Sequence, residues 1–339
     1  MKNKFKYLII ILLMTACSDD FLELNPPTLL NSGDFYQTED QFQQALTGVY
    51  ESLRGWAFPG SWLMGEMRSD NTVYDLNLHE RAMDVNYYEH ISDFVNDEQN
   101  SHTASKYYAD YEGISRANAI IDRIDNSSIS DAAKTSITAE AKFLRAFYYF
   151  DLVQFFGDVP LHITEVQNPD EAFLPRSPVE DVYEVIINDL TDAILKFSPT
   201  VTFPQKGRAS IGSAKTLLAN VYMVQKEWAK AETLLKDVTN LGYSLLVDYA
   251  SIYDLGNKNS MESIFEVQYK MGTSEGQGSI FIYYFIPITK NTLAITGHNT
   301  TTRGGLNYPT EGLINSYEPG DLRLDASIAI AEGVYVNEY

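Results

Sequence analysis

The chain has 339 residues, with 46 acidic side chains against 25 basic ones and a formal net charge of −21. Such a surface repels nucleic acid and anionic lipid headgroups, which excludes DNA or RNA as the expected partner. The 23 tyrosines and 17 phenylalanines exceed what a core usually needs, so some rings are expected at the surface. The length suits one large helical domain, or a repeat array with a loop-rich excursion.

Residues 1–16 read as an export signal. Lys2, Lys4 and Lys6 form a basic start, 7–14 an apolar run too short to span a bilayer, and Thr15-Ala16 a small-residue cleavage site. Cys17, the single cysteine, excludes an intrachain disulfide. Directly after the small pair it resembles the acylated cysteine of a lipoprotein signal, and Ser18-Asp19-Asp20 resembles the acidic address of the outer face of the outer membrane. A product starting at Cys17 loses three lysines and no acid, so it is more acidic still. Residues 17–37, with Pro26-Pro27 and Gly33, are expected to be an extended, lipidated tether.

From 38 onward helices are predicted. Thr38 and Gln41 form a capping box, and Phe42, Ala45, Leu46, Val49 and Leu53 make one stripe, so the first helix runs to about Arg54. Residues 56–77 look like a loop carrying Trp62, Arg68, Asp70, Asn71 and Tyr74. Residues 78–106 are polar, with Tyr87-Tyr88 embedded, and give no assignment. The stretch 107–124 places Tyr107, Tyr111, Ile114, Asn118 and Ile121 on one helical face; a buried Asn118 must be hydrogen-bonded and is expected to tie a loop or a facing helix.

Ser130 then caps a long helix whose centre, EAKFLRAFYYFDLVQFFGDVPL at 140–161, is apolar most of the way round. Gly157 and Pro160 stop it. Ser177-Pro178-Val179-Glu180 reads as an N-cap serine, a first-turn proline and a capping-box glutamate. Val179, Val182, Tyr183, Ile186, Leu190, Ala193, Ile194 and Phe197 follow it at helical spacing. Ala214, Leu217, Leu218, Val221 and Tyr222, then Ala231, Leu234, Leu235 and Val238, define two further helices joined by a Lys226-Glu227 turn. They resemble a tetratricopeptide-type hairpin, with Ala214, Ala219, Ala229 and Ala231 allowing close approach. Beyond Gly242 the character changes: IFEVQY at 264–269 alternates like a strand, 279–287 is an aromatic segment, and Pro309-Thr310-Glu311 starts a short helix.

YYADYEGISRANAIIDRI at 107–124 and the 140–161 stretch together resemble the two hallmark helices of the SusD/RagB family of surface lipoproteins. The match covers an R-A-N core and an A-x-F-L-R-A helix ending in F-G-D-V-P-L. The resemblance implies a mostly α, tetratricopeptide-like helix-pair scaffold over 38–339, with a loop-rich 243–339, a few short strands and a C-terminal truncation relative to the family. It further implies a nutrient-binding lipoprotein on the outer membrane, anchored by lipid on Cys17, that captures a glycan and hands it to a TonB-dependent SusC-like transporter. A peptide-binding member of the same family and a tetratricopeptide-like protein scaffold are the alternatives.

No catalytic constellation is visible. The five histidines lack metal-ligand spacing, Gly276-Gln277-Gly278 does not sit between a strand and a helix, and no nucleophile elbow occurs. No enzyme activity, cofactor or metal is expected. A sugar presents an apolar C–H face ringed by hydroxyls, and so calls for aromatic platforms flanked by amides, carboxylates and arginine. Arg68, Asp70, Asn71 and Tyr74, with Tyr87 and Tyr88, supply one such set, and Tyr283 and Tyr284 another. By location they match the loops with which the family grips its ligands. Arg68 and Asp70 fit equally a salt-bridged turn, and the tyrosines a satellite core.

Overall fold

Helix α1 (Glu39–Gly55) starts where the capping box places it: Thr38 Oγ1 accepts from Gln41 N at 3.3 Å while Gln41 Oε1 accepts from Thr38 N at 3.0 Å. The computed structural model describes residues 35–74, 83–270, 278, 279, 281, 285 and 307–328. Phe42, Leu46, Val49 and Leu53 are buried along one face of α1. Within the expected loop at 56–77, residues 56–68 instead form helical turns. A π-helical turn (Trp56–Ser61), α2 (Trp62–Gly65) and a 3-10 turn (Glu66–Arg68) continue from α1, then β1 (Thr72–Val73) follows. Pro59 and Gly60 disguise this in the sequence, but burial of Trp62, Leu63, Met64 and Met67 outweighs their weak propensity.

The unassigned stretch contains α3 (Met83–Ser92), and α4 (Ser101–Ile124) starts earlier than the periodicity indicates. Its N-cap is Asn100, whose Oδ1 accepts from His102 N and Thr103 N. Helix α5 (Asp131–Phe156) is capped by Ser130 and ends at Gly157, whose φ of +68° with ψ of −122° is open to glycine but is not the left-handed helical cap expected.

Helices α6 (Val179–Lys196), α7 (Ile211–Val224) and α8 (Trp228–Thr239) complete the scaffold. Successive packing of α4 on α5, α5 on α6, α6 on α7 and α7 on α8, with α1 laid on α4, produces the tetratricopeptide-like stack. Ala214, Ala219 and Ala231 are buried, whereas Ala229 is exposed.

Close contact between α4 and α5 depends on Gly113. A Cβ there would lie 2.2 Å from the ring of Tyr148, which is fully buried and donates to Val49 O at 2.7 Å. The main core runs through α1 and α4–α7, from Phe42 and Leu46 to Leu217 and Val221.

Ser177 does not cap α6. Pro178 occupies the N-cap, and Val179 N donates to Asp158 Oδ1 at 3.1 Å from the preceding β2 (Val159–Pro160) turn. The β2–β3 pair (β3, Arg176–Ser177) is what brings Asp158 to that helix end. Asp158→Ala is therefore expected to cost about 1 kcal/mol and Ser177→Ala almost nothing, checked by urea unfolding.

The alternation at 264–269 is real, but no strand forms there among the described residues. Phe265 and Val267 pack on the main core, while Glu266 Oε1 accepts from Asn259 N and Gln268 exchanges side-chain hydrogen bonds with Asn259. A neighbouring loop, not a second strand, satisfies this segment. Among the described residues no helix is long and apolar enough to cross a membrane.

Candidate functional site

Four signature residues of the two hallmark helices turn out to hold one segment, 160–164. Tyr111 Oη donates to Pro160 O (2.6 Å), and Tyr149 Oη donates to His162 O and accepts from His162 N. Asn118 Nδ2 donates to His162 O (2.8 Å) and Thr164 O (3.1 Å), so the expected tether is present. Arg145, 6% exposed, reaches Asn118 Oδ1 and Ile163 O and grips Asp189 of α6 through two bonds of 2.7 and 2.8 Å. These residues are architectural, their polar groups being engaged within the scaffold.

Beyond α1 a second core cluster forms from Trp62, Leu63, Met64, Met67, Tyr74, Tyr88 and Ile91. Phe281 and Phe285 pack on Trp62, with ring centroids 5.9 and 5.2 Å away. β1 pairs with β4 (Tyr308–Pro309), Thr72 opposite Pro309. Phe281 and Phe285 of the late aromatic segment thus meet Trp62 of the early one, and β4 meets β1.

Each nominated residue has a distinct place. The backbone of Asp70 and Asn71 is pinned, since Thr310 Oγ1 donates to Asp70 O at 3.0 Å and Thr310 N to Asn71 O at 2.9 Å. Thr310 is also the N-cap of α9 (Glu311–Ser316). The side chains of Asp70 and Asn71 are exposed, and form no hydrogen bond among the described residues, so fixed backbone presents free polar groups. Arg68 does not pair with Asp70. Its guanidinium lies 4.6 Å from the ring centroid of Phe94, and its Nε is buried without a hydrogen-bond partner among the described residues.

Tyr74 and Tyr88 are each 8% exposed, stacked at 6.0 Å, and Tyr88 stacks further on His102 at 4.5 Å. Their rings are buried in the second cluster instead of forming open platforms. Tyr87 is half-buried, edge-on to His102, and its carbonyl accepts from Asn100 Nδ2. Tyr283, Tyr284 and Cys17 lie outside the described residues, although Phe281 and Phe285 bracket the tyrosine pair in sequence.

Sequence reasoning missed the buried charges beside this cluster. Lys106, 1% exposed, forms an ion pair with Asp151, lies 3.9 Å from Asp110, and donates to Ser61 Oγ at 2.9 Å. Its ammonium sits 4.7 Å from the ring of Trp56 and 5.3 Å from that of Phe155. Burial, then the charge of Asp151, pushes the Asp110 carboxyl well above the usual range, and burial lowers Lys106. Lys106 and Asp110 stand at i, i+4, which in sequence looks like an ordinary surface pair; only the three-dimensional packing buries it.

Comparison with known proteins bears on the family and the fold. A family model described as starch-binding, associating with the outer membrane, matches residues 20–223. SusD-like protein P25 of Formosa agariphila is 26% identical over 82% of this chain and 55% of its own length. A SusD-like protein of Bacteroides ovatus is 29% identical over 78% of this chain and 50% of its own. The chain spans about half the length of these curated relatives. Among solved structures, a laminarin-binding SusD-like protein superposes with a TM-score of 0.74 at 27% identity, covering 86% of this chain and 66% of that one. A surface glycan-binding protein A from Bacteroides uniformis, at 22% identity and a TM-score of 0.73, shares the fold over 88% of this chain and 65% of that one. The family model covers more than half of the sequence and its helices stack as those of the solved relatives do: the chain belongs to the SusD/RagB family.

Proposed function

We propose that this chain is a nutrient-binding lipoprotein of the outer membrane that captures a glycan and delivers it to a TonB-dependent SusC-like transporter. The observation that supports the reading is the packing of Phe281 and Phe285, which bracket Tyr283 and Tyr284 in sequence, against Trp62 of the early region. The similarity to a laminarin-binding relative supports a polysaccharide as the ligand class. In this reading Cys17 carries the lipid, 17–37 spans from the membrane to the domain, and Asp70, Asn71, Tyr87, Tyr283 and Tyr284 contact sugar, with Arg68, Tyr74 and Tyr88 shaping the face. Binding needs no chemistry and no cofactor: ring stacking and hydrogen bonds supply the affinity.

Calorimetric titration of the soluble form beginning after Cys17 tests this against laminarin, starch and a mixed peptide pool. Binding of a polysaccharide is expected, and Tyr283→Ala/Tyr284→Ala is expected to weaken it by at least about tenfold. Binding of peptides alone, or of no ligand by a folded protein, would overturn the glycan reading.

A further inference from the structure

Phe94 occupies an unusual position for a large aromatic residue. After α3 the chain closes with Val95 N donating to His90 O at 2.9 Å and Phe94 N to Ile91 O at 3.3 Å, which is the Schellman arrangement. Phe94 stands at the left-handed site of that motif, with φ +62°, where glycine is the usual occupant. Its ring does not repay the strain by burial, because Phe94 is 62% exposed. It belongs to neither core cluster.

What the ring does meet is Arg68. The guanidinium covers it from one side at 4.6 Å, and Arg68 has no carboxylate partner among the described residues. A cation on one face leaves the other open to solvent and gives the ring a fixed orientation. An exposed ring held by Arg68, two and three residues before the exposed side chains of Asp70 and Asn71, is what the C–H face of a pyranose requires. The surroundings also bear on which pyranose. Glu66, Asp70, Asp93, Asp97 and Glu98 are all exposed along the same segments, so a polyanionic chain would meet like charge on approach.

We propose that Phe94, held by Arg68, is a stacking platform for a neutral sugar unit, and that the strained helix end is retained to present it. The proposal rests on the glycan reading above and adds to it both a residue and a ligand class. A merely structural Phe94 and a binding Phe94 predict opposite results for one substitution. Phe94→Gly relieves the left-handed backbone and removes the ring, so the thermal midpoint should rise by about 2 °C while affinity for laminarin or starch falls at least about tenfold. Phe94→Ala should lose affinity equally without that gain, and Phe94→Trp should keep it. Wild-type protein should bind laminarin or starch and not alginate, a polyuronate, at the same ionic strength.

Phe94→Gly with wild-type affinity would overturn the platform, as would a fall in midpoint with affinity unchanged. Alginate bound as tightly as the neutral glucans would overturn the ligand class. If Tyr283→Ala/Tyr284→Ala loses binding while Phe94→Gly keeps it, glycan capture stands and the platform falls. If wild-type protein binds no glycan, the capture reading falls and takes the platform with it.

Discussion

Arg145→Met is expected to destabilise the protein by about 3–5 kcal/mol, because it removes one partner of a buried ion pair and leaves the other. Asp189 is 3% exposed, and its two oxygens lose their guanidinium donors at 2.7 and 2.8 Å. Asn118 Oδ1 and Ile163 O lose theirs as well. Arg145→Lys keeps the charge but not the planar fork, so it should recover only part of the loss. Arg145→Met combined with Asp189→Leu should be markedly more stable than the single variant, since no charge is then stranded. Urea unfolding followed by circular dichroism checks all three. A loss near zero for Arg145→Met would show that the signature arginine does not hold the scaffold.

Lys106→Met is expected to produce a comparable loss at pH 8, about 3 kcal/mol, and a smaller one at pH 5. The substitution leaves Asp110 and Asp151 facing each other where Lys106 held both. The folded protein keeps the Asp110 proton to higher pH than the unfolded chain does, through burial and the charge of Asp151. The stabilisation from that proton is therefore complete in acid, below the unfolded carboxylate value, and is lost as pH rises through the folded one. Lys106 offsets part of this in the native protein by favouring the ionised carboxylate. Without it the folded value climbs further, and stability should fall more steeply between pH 5 and pH 8 than in the native chain. Urea unfolding at the two pH values measures the difference. Parallel pH profiles for the two proteins would refute the coupling. Since Lys106 also donates to Ser61, at the end of the turn leading into Trp62, the variant should loosen the aromatic face, which hydrogen exchange at 56–68 reports.

The scaffold was legible because its signals are local. Thr38 with Gln41, and Ser130, cap the helices they were expected to cap, a short helix starts at Glu311 as expected, and the apolar stripes of α1, α5, α6 and α7 face the core as their spacing required. Where a cap came from elsewhere, local reading failed: Asp158 reaches α6 only because β2 and β3 pair. Where burial overrode weak propensity, it failed again, and 56–68 coiled into helical turns.

The sequence by itself determined the helix stack and the family, since both are written in periodicity, caps and two long motifs that need only neighbours in the chain. Only the tertiary structure decided the site. Nothing local says that Thr72 pairs with Pro309, that Trp62 meets Phe281 and Phe285, or that Lys106 is buried between two aspartates. Nor does spacing reveal that Arg68 turns from Asp70 to the ring of Phe94. Those choices are made by contacts between distant segments, where shape and desolvation outweigh anything a residue's immediate neighbours dictate.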